Sequence, residues 1–94
     1  MQPEPHHDAA ARALASGDPL AALNAVAGDE SGHGRALRGI ALAQLDELDD
    51  ARRELRAAAE ALRDAPLYRG RALAALAEVA AAARELGTAP DALA

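Results

Sequence analysis

Apolar residues recur at three- and four-residue intervals along most of this chain, the spacing of an amphipathic helix. The clearest run is Leu48, Ala51, Leu55, Ala58 and Leu62, spaced 3, 4, 3 and 4. It makes one narrow stripe suited to packing against a neighbouring helix. Opposite it stand Asp49, Arg53, Arg56 and Glu60. The i, i+4 pairs Asp49/Arg53 and Arg56/Glu60 read as a solvated face.

Similar patterns predict four more helices. One covers residues 9–16, with Asp8 as N-cap, and ends at Gly17. A second runs over 19–27, opened by Asp18-Pro19, which places a cap and then a proline where its missing N–H costs nothing. A third, over about 34–45, carries Leu37, Ile40, Ala41 and Leu45, and the acidic turn Asp46-Glu47 ends it and favours the start of the fourth. Asp64-Ala65-Pro66 stops that one. A fifth, over about 67–86, has two overlapping stripes: Leu73, Leu76, Ala80 and Ala83, and Ala72, Leu76, Val79, Ala83 and Leu86. So wide an arc predicts contact on more than one side. Gly87 ends it, and Thr88-Ala89-Pro90-Asp91 resembles a capping box opening a sixth helix. Residues 1–8, with two prolines and no period, read as a disordered leader. Residues 9–94 form a single helical domain with hairpins at about 9–27, 34–64 and 67–94. Three glycines within residues 28–34 mark the main break between hairpins.

Composition strengthens this all-α reading. Of 94 residues, 29 are alanine and 14 leucine, against two valines, one isoleucine, one tyrosine and no phenylalanine or tryptophan. That is helix-forming material with almost none of the residues that favour strands. Alanine contributes little area per residue, so the core is expected to be thin. The net charge of -5 argues against a phosphate-binding surface, and nucleic acid is not an expected partner. No cysteine is present, so no disulfide, thiolate nucleophile or sulfur-rich zinc site is available, and the cytoplasm is the default compartment. The amino terminus lacks the pattern of a signal peptide and no apolar run approaches a membrane span.

Three segments repeat one another. They are Leu14-Ala15-Ser16-Gly17-Asp18-Pro19-Leu20-Ala21-Ala22-Leu23, Leu45-Asp46-Glu47-Leu48-Asp49-Asp50-Ala51-Arg52 and Leu86-Gly87-Thr88-Ala89-Pro90-Asp91-Ala92-Leu93. Each puts an alanine (Ala22, Ala51, Ala92) five residues beyond Gly17, Asp46 or Gly87, where the second helix must approach the first closely. The chain here resembles the tetratricopeptide repeat family, and the middle segment, with Gly39, Leu42, Leu45, Leu48, Ala51, Leu55 and Ala58, is the best match. Arg38 stands where that family prefers leucine, Asp46 replaces the turn glycine, and the alanine spacings of 29 and 41 residues depart from the regular 34. The resemblance implies a right-handed superhelix, or a small helical bundle, acting as a non-catalytic protein-interaction scaffold. Its groove would be lined by Ala36, Ile40, Ala43 and Gln44 in the middle unit and by Ala77, Ala81 and Arg84 in the last, binding an apolar helix or extended segment of a protein or peptide partner. The alternative is a self-associating structural domain forming a homodimer.

Candidate chemistry adds little. His6 and His7 lie in the expected leader and His33 in the glycine loop, with no i, i+4 histidine pair, so they read as exposed loop residues and no metal or cofactor is expected. Asp29, Ser31 and His33 have the residue types of a catalytic triad, but on a glycine loop Ser31 reads as a helix N-cap. Asp46, Glu47, Asp49 and Asp50 suit a helix start and lack a calcium-loop pattern. Arg35, Arg38, Arg69 and Arg71 would form an anion patch only if helices three and five stack in register, and otherwise are surface arginines. Tyr68 is expected to cap the core beside Leu67. The chain is therefore not expected to be an enzyme.

Overall fold

The computed structural model describes residues 5–85, which form five helices and, among those residues, no strand. They are α1 (Pro5–Ala15), α2 (Pro19–Ala25), α3 (Gly32–Gln44), α4 (Leu48–Ala61) and α5 (Pro66–Glu85). The fold is all-α. The sixth helix expected from the capping-box pattern, and with it Ala92, lies outside the described residues.

α1 begins at Pro5, four residues before the expected start, so His6, His7 and Asp8 are helical. The missed signal was Pro5, whose fixed φ and absent N–H suit the first position of a helix. Pro19 and Pro66 open α2 and α5 in the same way. Ser31 caps α3, accepting the Gly34 N–H at 3.1 Å, which is why α3 starts at Gly32. Of the helix-surface ion pairs, Arg53 bonds Asp50 and Arg63 bonds Glu60, both i, i+3, in place of the expected i, i+4 partners. All four side chains are largely exposed, so either arrangement contributes only a few tenths of a kcal/mol, roughly.

The turns between α1 and α2 and between α3 and α4 are the same structure. At the first, Gly17 has φ 77°, its N–H bonds the Leu14 carbonyl at 3.1 Å, and the Asp18 N–H bonds the Ala13 carbonyl at 2.8 Å. At the second, Asp46 has φ 62°, its N–H bonds the Ala43 carbonyl at 3.1 Å, and the Glu47 N–H bonds the Leu42 carbonyl at 2.9 Å. Both are helix stops through one left-handed residue. Asp46 therefore holds the conformation that Gly17 holds, which aspartate tolerates better than most side chains. Five residues beyond each stop, Ala22 and Ala51 are fully buried, as the repeated segments require.

Packing runs in series. α1 and α2 pair, α3 packs on both, α4 pairs with α3, and α5 packs on α4 and α3. α3 is thus flanked on two sides. Leu37 and Ala41 join Ala10, Ala22 and Val26 in a cluster under hairpin one. On the other side Leu48, Ala51 and Leu55 of α4 meet Val79 and Ala83 of α5, with Ile40, Ala43 and Leu76 against them. A third cluster is built almost wholly of alanine: Ala36, Ala58, Ala59 and Ala72. Only the second of the two stripes read in α5 is buried, through Ala72, Val79 and Ala83, while Leu73 is 39% exposed. Contact on more than one side of α5 is not seen among the described residues, because α3 and α4 lie against the same stripe.

α3 and α4 approach closely at Gly39. A Cβ there would fall 2.7 Å from Leu55 Cγ, 3.0 Å from its Cδ2 and 3.3 Å from the Ala51 carbonyl oxygen. Leu55 is fully buried and cannot swing aside. Gly39→Ala should therefore lose stability: overpacking costs about 1–3 kcal/mol, and the better helix propensity of alanine returns only about 1 kcal/mol. Gly70, in α5, has nothing within 4 Å of the same position, so Gly70→Ala should gain about 0.5–1 kcal/mol. Urea midpoints moving in opposite directions would bear out this geometry, and a Gly39→Ala midpoint at or above the wild-type value would refute it.

Candidate functional site

The residues expected to line a groove separate into two groups. Ala36 is buried in the alanine cluster between α3, α4 and α5. Ile40 and Ala43 are half-buried against Leu55 and its neighbours. Gln44 is exposed but bonded: its Nε2 donates to the Leu14 carbonyl at 3.2 Å and so caps α1 from α3. The middle unit therefore offers no open groove at these four positions, because α3 is covered by hairpin one on one side and by α4 and α5 on the other. In the last unit Ala77 and Arg84 are exposed and Ala81 is half-buried. Spaced i, i+4 and i+7, they lie on one outer face of α5, which Leu73 extends towards the helix start.

Arg35 and Arg38 meet at Glu54, whereas Arg71 turns to Tyr68. Arg38 donates to Glu54 Oε1 at 2.9 Å, to the Val26 carbonyl at 2.9 Å and to the Asp29 carbonyl at 2.6 Å. It ties α4 and the α2–α3 loop to α3. Arg35 pairs with Glu30 at 2.6 Å and lies 3.7 Å from Glu54. Arg71 lies over the Tyr68 ring, 5.7 Å from its centroid.

Around the same loop the structure gathers the groups that the sequence left scattered. His6 and His7, in the first turn of α1, both place Nε2 at 2.6 Å from one oxygen of Asp29, Oδ2. An ionised carboxylate only accepts, so both imidazoles present N–H there. The other oxygen, Oδ1, accepts the Ser31 N–H at 2.8 Å. Gly34 lies under the carboxylate, where a Cβ would come within 2.4 Å of Asp29 Cγ. His7 is buried, and its ring meets that of His33 at 4.4 Å. The His33 ring in turn meets Tyr68 at 4.9 Å. Tyr68 thus covers a histidine stack, and Leu67 beside it is 65% exposed, contrary to the expected core cap. Asp29, Ser31 and His33 form no relay: Ser31 Oγ caps α3 and Asp29 faces α1.

Hydrogen bonding from Ser31 holds the Asp29 carboxyl well below the usual carboxylate range, against burial, and His6 and His7 reinforce it. His33 is pushed below its ordinary 6.5, first by burial and then by the neighbouring His7, with Arg71 adding and Asp29 and Asp8 opposing. The nitrogens of His6 and His7 and the carboxylate of Asp29 lie within 4.8 Å of one another, so this cluster can ligate a cation. The sequence pattern does not reveal it, because residues 6 and 7 carry no hydrophobic period and read as leader. Pro5 as a helix start and Asp29-Glu30-Ser31 as an aspartate turn were its only local signals. No family model, curated protein or solved structure matches the chain. Among the described residues, no helix is long and apolar enough to cross a membrane.

The two shifts each make the stability of the metal-free protein depend on pH. A histidine whose folded pKa is lowered binds fewer protons folded than unfolded, so its stability is full above 6.5 and is lost as pH falls through that value. Asp29 adds a second loss below its ordinary 3.8. In chelator, the urea midpoint should fall between pH 7 and pH 5, and His33→Gln should flatten that fall. An equal slope in the variant would remove His33 as its cause.

Proposed function

We propose that this chain is a tetratricopeptide-like scaffold that binds a partner protein non-covalently, and that the docking surface is the outer face of α5. The reading rests on that face: Leu73 is 39% exposed, and Ala77, Ala81 and Arg84 continue its line along the helix. Support comes from the two turns that share one hydrogen-bond pattern and from the serial packing of α1, α3 and α5, the arrangement in which a repeat protein presents its last unit for stacking. The occupant is an amphipathic helix of another protein. Small residues let such a helix approach the backbone closely, and Arg84 at one end suits an acidic residue on the partner. The chain acts without catalysis, in the cytoplasm.

The test uses a displayed library of amphipathic helical peptides, with sedimentation equilibrium of the chain alone as its companion. Enriched peptides should bind the wild type and lose about tenfold or more when Ala77→Arg and Ala81→Arg are introduced together, with far-UV circular dichroism unchanged; each tenfold is 1.4 kcal/mol. Affinity indifferent to those substitutions would reject the face. A concentration-dependent dimer split by Leu73→Arg would assign it to a second copy and overturn the partner reading.

A further inference from the structure

The geometry points to a divalent transition-metal site, suited to zinc, formed by His6 and His7 of α1 and Asp29 of the α2–α3 loop. This is independent of what docks on α5. Three observations carry it. First, the ligand set is intact: two imidazole Nε2 atoms and one carboxylate oxygen, from positions 22 and 23 residues apart in sequence, converge within 4.8 Å. Two imidazoles and a carboxylate, with no thiolate, select zinc and its first-row neighbours over magnesium or calcium, which prefer all-oxygen shells.

Second, the carboxylate is already oriented. Asp29 Oδ1 is tied to the Ser31 N–H, leaving Oδ2 directed at α1. Gly34 supplies the space behind it, since any Cβ there would collide with the carboxyl carbon. This is the outer-shell support that metal-binding carboxylates have.

Third, the spread required is small. Ligand atoms about 2.0–2.2 Å from an ion at tetrahedral angles stand about 3.4 Å apart. Here each imidazole nitrogen is 2.6 Å from the carboxylate oxygen. Side-chain rotation of less than an ångström, roughly, with each neutral imidazole passing to its Nδ1–H tautomer, turns two Nε2–H donors into two Nε2 lone pairs on one ion without changing the proton count of either ring. Three protein ligands leave a fourth position for water. The buried His7 and the His33 and Tyr68 rings behind it close one side, so that position faces solvent beside the half-exposed His6. The ion would replace the hydrogen bonds that join α1 to the loop by coordinate bonds, making the attachment of α1 metal-dependent.

The experiment is a zinc titration of the whole untagged chain after dialysis against chelator, followed by calorimetry, with cobalt(II) as the spectroscopic probe. One zinc per chain should bind and raise the melting temperature, and cobalt should give visible bands of nitrogen and oxygen coordination. His6→Gln and Asp29→Asn should each weaken zinc by more than the about 10–100-fold that loss of an outer-shell partner costs. His6 is the safer variant for the fold because its side chain is 39% exposed, and unchanged metal-free circular dichroism identifies it as folded. Absence of stoichiometric zinc binding, or affinity that survives His6→Gln, would overturn the site.

Discussion

The structure depends on how little hydrocarbon its core contains. Among the described residues, nine of the fourteen buried hydrophobic residues are alanine, and only Leu55 and Val26 are large side chains without exposure. A buried methyl contributes about 0.8 kcal/mol, so helices built this way gain cohesion only by coming very close. Gly39 against Leu55 and the alanine cluster of Ala36, Ala58, Ala59 and Ala72 are the points where they do. Volume tolerance at these positions is correspondingly small.

What the apolar contacts leave weak, polar contacts join. The α2–α3 loop is the meeting point: Arg38 holds the Val26 and Asp29 carbonyls and reaches Glu54 of α4, while the Asp29 side chain holds His6 and His7 of α1. Gln44 adds a second tie from α3 to α1 through the Leu14 carbonyl. Hairpin one is therefore attached to the rest of the molecule through carbonyls, a carboxylate and imidazoles as much as through Leu37 and Ala41. The α4–α5 contact, by contrast, is made by Leu48, Leu55, Val79 and Ala83.

Most of the architecture was legible because it rests on local rules. The stripe Leu48, Ala51, Leu55, Ala58 reports its burial directly through spacing, and the left-handed stops at Gly17 and Asp46 follow from turn chemistry. The start of α1 was hidden because two histidines and a short polar segment have no hydrophobic period, and a proline alone signals weakly. The site was harder still. His7 and Asp29 are 22 residues apart, and nothing local shows that a loop and a helix start will meet. The same limit applies to Ala36, Ile40 and Ala43: a repeat pattern gives their spacing, but whether that face is open depends on where α5 packs, a long-range fact. Ala77 and Arg84, on the outermost described helix, are open because no element covers them there.

The contrast between the two joints makes this small chain anisotropic in its response to solvent. Contacts that water, protons and ions compete for help to hold α1 down beside its apolar cluster, whereas α5, apart from the Tyr68 contact with His33, is held by apolar surface that a loss of the hydrophobic driving force releases. Amide protons of α1 and of α5 should thus belong to separate exchange groups, one governed by proton activity and ionic strength and the other by denaturant.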